Sequence, residues 1–161
     1  MTAPSVADLI RVQESDFDLA AEYARLAGLS GTGALVSFVG QVRDCNQGEA
    51  VEGLFLEHYP GMTERAMADL VAEARGRWPL TGVTLIHRVG ALKLGEQIVL
   101  VLVASGHRGE AFAACEFLMD TLKSRVPFWK RERRGDGQSH WLAARDSDAQ
   151  AAARWQEKPE L

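Results

Sequence analysis

Val83-Thr84-Leu85-Ile86-His87-Arg88-Val89 and Gln97-Ile98-Val99-Leu100-Val101-Leu102-Val103-Ala104 are two strongly β-branched runs. Such side chains suit a pleated, buried surface, so both runs read as central strands, joined through Gly90 and Gly95. Just upstream, Tyr59-Pro60-Gly61 is a turn and Thr63 an N-cap for a helix that runs through Trp78 and is ended by Pro79. Met67, Leu70, Val71, Ala74 and Trp78 fall at helical spacing and mark its buried stripe. Towards the N-terminus, residues 6–14 predict a short strand. Ser15 with Asp18 has the pattern of a capping box for a helix that stops at Gly28. Ala34 to Arg43 is a β-rich run, Asp44 to Ala50 a flexible polar loop, and Val51 to His58 a returning strand. Downstream, a long helix is expected from about Gly109 to Arg125, then a hairpin with Arg134-Gly135-Asp136-Gly137 at its tip, then a short helix from Ser147 to Trp155. Helices and strands alternate irregularly and several returns are hairpin-like, which predicts an α+β fold over a doubly wound parallel sheet. One domain over 1–155 is expected, with a flexible tail over 156–161.

Composition sets the outer bounds. With 161 residues, 47% hydrophobic and 25% charged, the chain can bury a continuous core without staples. The start, Met1-Thr2-Ala3-Pro4-Ser5, lacks the basic and apolar segments of a signal peptide. No apolar run approaches the roughly 20 residues of a membrane span. A cytoplasmic location is the expectation. Cys45 and Cys115 stand apart with no CxxC spacing, and His58, His87 and His140 show no ligand spacing, so no metal is expected. Cys115 falls on a helical apolar stripe and reads as core.

Against a formal charge of −4, the segment Lys123-Ser124-Arg125-Val126-Pro127-Phe128-Trp129-Lys130-Arg131-Glu132-Arg133-Arg134 is strongly basic. A local cationic patch on an acidic domain points to an anionic substrate or partner tail. Pro127 must break the preceding helix, so Lys123 and Lys130 lie on different elements. On a stripe of Phe112, Cys115, Met119, Leu122 and Val126, Lys123 projects about 70° from the centre. Desolvation on that flank would favour its neutral amine, the form useful as a base. The plainer alternative lays both lysine stems on the core edge with their heads in water.

Ser105-Gly106-His107-Arg108 ends a core strand where a helix begins, so free amides, an imidazole and a guanidinium converge there. That is a phosphate or carboxylate site, or simply a helix start with solvated side chains. Arg43 closes its strand after Gly40-Gln41-Val42. His107 and Lys123 stand roughly 24 Å apart along one helix, too far to share a small substrate. Either there are two sites or a symmetric dimer joins one subunit's helix start to the other's helix end; the dimer is the favoured expectation. Other functions remain open from the residues alone. Phe128 and Trp129 among the basic residues suit stacked nucleic acid, and a sheet edge suits an extended peptide.

Five blocks occur in order: Phe38-Val39-Gly40-Gln41-Val42-Arg43, Leu56-Glu57-His58-Tyr59-Pro60-Gly61-Met62, Ile86-His87-Arg88-Val89-Gly90, Ser105-Gly106-His107-Arg108 and Leu122 to Glu132. Through them the chain, over about residues 30 to 155, resembles the MoaE family, the large catalytic subunits of molybdopterin synthases. The resemblance implies an α/β hammerhead-type fold with an added antiparallel β subdomain. It also implies a homodimer that becomes a heterotetramer with a small ubiquitin-like sulfur-carrier subunit. That carrier ends in a Gly-Gly thiocarboxylate, and two of its sulfurs pass to cyclic pyranopterin monophosphate to form the molybdopterin dithiolene, a step of molybdenum cofactor biosynthesis. No resident cofactor, nucleic acid or membrane is implied. Lys123 and Lys130 match the lysines of the reaction centre. Arg43, His107, Arg108, Arg131 and Glu132 match substrate-contacting blocks, with Gln41 and Val42 beside them and Arg145 near the pocket. Gln41 departs from the lysine that some relatives carry there. The expected roles are Lys123 as acid/base and Lys130 as electrostatic clamp.

Overall fold

The computed structural model describes residues 8–143 and 145–156. Residues 6 and 7 of the expected first strand, and 157–161 of the expected tail, lie outside the described residues. Strands β1 (Leu9–Gln13), β2 (Ala34–Gln41), β5 (Leu80–Arg88) and β7 (Gln97–Ser105) form one sheet in the order β1-β5-β7-β2. β1 runs parallel to β5; the other pairings are antiparallel. A second, antiparallel sheet joins β3 (Cys45–Asn46), β4 (Glu49–His58), β8 (Phe128–Arg134) and β9 (Ser139–Trp141), with β6 (Gly90–Lys93) on the other side of β4. Helices α1 (Leu19–Leu26), α2 (Met62–Arg77), α3 (Arg108–Arg125) and α4 (Asp146–Ala153) complete the described chain. The fold is α+β, as expected.

The apolar runs that mark β5 and β7 are buried on both faces because helices cover both. Val83, Leu85, Val99, Val101 and Val103 meet α2 and α3, whose stripes carry Met67, Leu70, Val71, Ala74, Ala114 and Leu118. Ile86, Leu100, Leu102 and Ala104 pack beneath Phe17 and Leu26 on the α1 side. This is period-2 alternation with both sets apolar. At the C-terminal end of β5 the chain turns at Gly90, whose φ of 87° favours glycine, and passes into the second sheet as β6. A small core of Val42, Leu56, Val89 and Leu92 lies under that junction.

Several local expectations are corrected. α1 is capped by Asp18, whose carboxylate accepts from the Ala21 N–H, and not by Ser15. The 15–18 segment is instead a turn in which Asp16 accepts from Phe17 N–H and from the Gln97 amide, seating Phe17 in the core. The N-cap of α2 is Gly61, not Thr63. The buried Thr63 hydroxyl accepts from Tyr59 N–H at 2.9 Å and donates to the Pro127 carbonyl at 3.0 Å, tying the helix start to the turn before β8. The 44–50 segment is no open loop. Cys45–Asn46 pairs with Glu49–Ala50 around Gln47 and Gly48, both at positive φ, as a two-residue type I′ hairpin requires.

α3 spans Arg108–Arg125 and also differs in its orientation. Phe112, expected in its apolar stripe, is 62% exposed. The helix packs against both the sheet and α2, so its buried arc widens to include Ala111, Phe117 and Thr121 and swings away from Phe112. Recentred on that arc, Lys123 lies about 130° from the middle and is exposed, not on the near flank.

Candidate active site

Where the two sheets diverge, a cleft of about 590 Å³ opens. Its walls are the last residues of β2 and their extension to Arg43, the ends of β5 and β7, the C-terminal flank of α3, the inner face of β8, and the segment 142–148. Two backbone devices shape it. The β2–β7 ladder shifts between Gly40 and Gln41, so Ile98 has no partner and lines the cleft together with its neighbour Val99. A Cβ at Gly40 would come within 2.8 Å of a Val99 methyl, so the strands approach this closely only with glycine there.

Strand β8 supplies the cleft's polar chemistry by alternation. Phe128, Lys130 and Glu132 point inward; Trp129, Arg131 and Arg133 lie on the other face. Lys130 is half-buried, and its pKa falls below the ordinary lysine value mainly because burial penalises the ammonium, helped by the charge of Lys123. Asp148 opposes that shift, while Arg145 and Arg43 add to it. Lys123 reaches the same cleft from the exposed flank of α3. The desolvated amine is therefore Lys130, the reverse of what helix projection predicts, because α3 is rotated.

A relay of polar contacts holds the opposite wall. Glu132, only 4% exposed, accepts from the Asn46 amide at 2.9 Å, and its other oxygen lies 3.6 Å from Arg134 Nε. Asn46 in turn accepts from Arg145 at 2.5 Å. The type I′ hairpin thus connects the buried carboxylate to the start of α4. Asn46 escaped the sequence reading because the segment looked like a loop; the signal was Gly48 at the second central position of a two-residue turn.

His87 was also missed. Its ring stacks on Phe128 with centroids 3.8 Å apart, and its Nδ1 sits 2.8 Å from the Arg88 carbonyl. Burial drives its pKa from 6.5 down to about 3; the Arg88 hydrogen bond opposes this, and the charges of Lys130 and Lys123 deepen it. A search for metal spacing passes over a histidine of this kind.

The structure brings Gln41, Val42, Arg43, Lys123, Lys130, Glu132 and Arg145 into this one cleft. It leaves His107 and Arg108 exposed at the far end of α3, outside the lining. Arg131 lies on the outer face of β8, with its guanidinium 4.9 Å from the Phe55 ring centroid and 5.3 Å from that of Trp141. Strand alternation thus places Arg131 outside the lining of this cleft. The same alternation parts Phe128 from Trp129, so they form no joint stacking platform for nucleic acid. Cys115 is buried, as expected, and its thiol is pushed up to about 11 by that burial, with Glu116 adding to the shift. No cluster of metal-ligating side chains occurs among the described residues.

A family model described as MoaE protein matches residues 12–125. The chain belongs to the MoaE family. It is 59% identical over 147 residues to the molybdopterin synthase catalytic subunit of Ralstonia nicotianae, covering 91% of this chain and 83% of that protein. To the Escherichia coli protein of the same name it is 53% identical over 146 residues, covering 91% and 97% of the two chains. Among solved structures, molybdopterin cofactor biosynthesis protein E from Burkholderia multivorans matches with a TM-score of 0.78 and 48% identity, over 94% of this chain and 98% of that one. Molybdopterin synthase from Staphylococcus aureus matches with a TM-score of 0.77 and 30% identity, over 83% and 96%. The curated relatives extend over the β8 block that the family model leaves out, so the cleft lies within the MoaE-like part of the chain.

Proposed function

We propose that this MoaE-family chain is the catalytic subunit of a molybdopterin synthase. It transfers two sulfurs from the C-terminal thiocarboxylate of a small ubiquitin-like carrier to cyclic pyranopterin monophosphate, forming the dithiolene. The observation that carries this reading is the lysine pair in one cleft: Lys130 is desolvated, and Lys123 and Arg43 stand beside it. An anionic tail and a phosphate-bearing substrate both need cations, and guanidinium groups suit the phosphate oxygens. Negative charge that develops on the carbonyl and on leaving oxygens is stabilised by a preplaced ammonium. A lysine with a lowered pKa also gives up its proton more readily than an ordinary one. On that ground Lys130 takes the acid/base role and Lys123 the electrostatic one, exchanging the roles expected from sequence.

His107 and Arg108 enter through a homodimer, in which each subunit's α3 start completes its partner's cleft, with one carrier at each end of the resulting heterotetramer. Arg145 takes the substrate phosphate or the carrier tail, held in place by Asn46. Among the described residues no helix is long and apolar enough to cross a membrane, and we place the reaction in the cytoplasm.

Incubation of the purified chain with thiocarboxylated carrier and cyclic pyranopterin monophosphate tests the reading. Dithiolene product is expected with wild type and not with Lys130→Ala. No product from wild type, or near-normal turnover by Lys130→Ala, overturns it. Mixing inactive Lys130→Ala with inactive His107→Ala tests the shared site. Random dimers would restore about a quarter of the sites, because half are mixed and each mixed dimer has one intact site. No recovery after exchange excludes a shared site.

A further inference from the structure

The inner face of the cleft carries a polar atom, on the buried residue His87, that the proposed reaction does not use. The Arg88 carbonyl can only accept a hydrogen bond, so the His87 Nδ1 facing it at 2.8 Å carries the ring proton. A neutral ring then has its lone pair on Nε2. That atom has no hydrogen-bond partner among the described residues, although the residue is 5% exposed and lines the cleft. The ring cannot swing away, because it is stacked face to face on Phe128, two residues before Lys130 on the same strand face.

We propose that His87 is a further substrate-binding residue of this cleft, whose Nε2 accepts a hydrogen bond from a ring N–H or exocyclic amine of the pterin-class substrate. The inference rests on the function proposed above. Its chemical warrant is the imbalance of the lining. Arg43, Lys123, Lys130 and Arg145 are all donors; of the acceptors, the Asp148 carboxylate faces the Lys130 charge, Glu132 and Asn46 already engage Asn46 and Arg145 with one oxygen each, and the Gln41 amide can turn either way. A pterin-like heterocycle brings N–H donors as well as anionic oxygens, and His87 Nε2 is the neutral acceptor that this lining fixes in place by a ring stack. A buried N–H without a partner loses affinity, so a fixed neutral acceptor discriminates for such a ring.

The surrounding charges explain why His87 accepts a hydrogen bond and does not take the proton. Lys130 from β8, Lys123 from α3 and His58 from β4 all disfavour a charged ring there. Arg88 turns its guanidinium away to the carbonyls of Glu14 and Gln97. Asp148, Arg145 and Arg43 act on Lys130 from the other walls, and Glu132 lies next along the β8 face. Burial and these charges therefore favour the neutral His87 ring.

Two variants and one spectroscopic measurement test this. His87→Phe keeps an aromatic ring against Phe128 and removes the acceptor; His87→Gln restores an acceptor oxygen. With wild type assayed in parallel, His87→Phe should lower kcat/KM about tenfold or more, mainly through KM, without moving the pH profile. His87→Gln should recover part of the loss. A His87→Phe enzyme within twofold of wild type overturns the proposal. Should His87→Phe fold poorly, wild-type protein labelled with 15N-histidine decides. On saturation with cyclic pyranopterin monophosphate alone, the Nε2 resonance should shift while Nδ1 remains protonated. An Nε2 signal unmoved in protein that binds the substrate by calorimetry overturns the contact and leaves the synthase reading intact. Wild type that neither binds nor turns over the substrate overturns the synthase reading itself.

Discussion

Strand β7 buries seven consecutive residues, Val99 to Ser105, whereas β8 in the second sheet buries only Glu132. From Val99 onward β7 lies between helices on both faces, so every side chain of that run is buried. β8 has one face on the cleft and one on solvent, and its single fully buried side chain is charged. Stability and reactivity are thus housed in different sheets, which meet where β5 passes through Gly90 into β6, where Thr63 grips the Pro127 carbonyl and where His87 stacks on Phe128. The lesson is that a lysine with a lowered pKa needs partial burial without a full core, and the cleft-facing side of β8 offers that environment.

That division can be broken from either side. Lys130→Ala should cost about 10² to 10⁴ in sulfur-transfer rate, the range of a lost general acid or base. Thermal unfolding should show no matching loss; a large drop in Tm would mean that β8 also carries the core. Phe117→Ala should do the opposite. Phe117 is fully buried and meets Trp78 and Trp155 edge to face, so its truncation should cost about 3–5 kcal/mol in denaturant unfolding. The activity per folded molecule should be preserved.

Acid sharpens the comparison. The unfolded chain protonates His87 near 6.5 and the folded chain only near 3, so the unfolded state binds more protons between those values. The stability that His87 contributes is complete above about pH 6.5. It is lost as pH falls, by about 1.4 kcal/mol per unit across that window. Urea titrations at several pH values should show this slope in wild type and a flatter one in His87→Phe. Asn46→Ala should cost about 1 kcal/mol, by cutting the link between Glu132 and Arg145, and should raise KM more than it changes Tm. The smallest effect belongs to the outer face. Arg133, exposed and 3.6 Å from Glu52, should change stability by less than about 0.5 kcal/mol on conversion to Ala.

The legible parts of the chain were those with strong periodicity. β5, β7, the α2 stripe and the β8–β9 hairpin follow from β-branched runs, helical spacing and the Gly135-Asp136-Gly137 turn. The basic block was legible as a site because its charge contrasts with the rest of the chain. What escaped depends on contacts between distant segments. α3 is buried from two directions, so a one-stripe projection misplaced Phe112 and Lys123. β3 is too short to show a period, and β6 is defined by its pairing with β4 and not by its own composition. His87 reads as an ordinary strand residue until its tautomer and its stack on Phe128 are seen.

Because β8 presents Phe128, Lys130 and Glu132 to one side and Trp129, Arg131 and Arg133 to the other, the spacing from Pro127 acts as an address for the cleft. Inserting or deleting a single residue in the turn before Phe128 would exchange the two sets, putting a tryptophan and two arginines into the cleft and both lysine and carboxylate into solvent. A reading-frame-preserving indel there should therefore be harsher than any substitution of the same residues. The hairpin tip at Gly135–Gly137 lies beyond all of them and should accept extra length without moving any of these side chains.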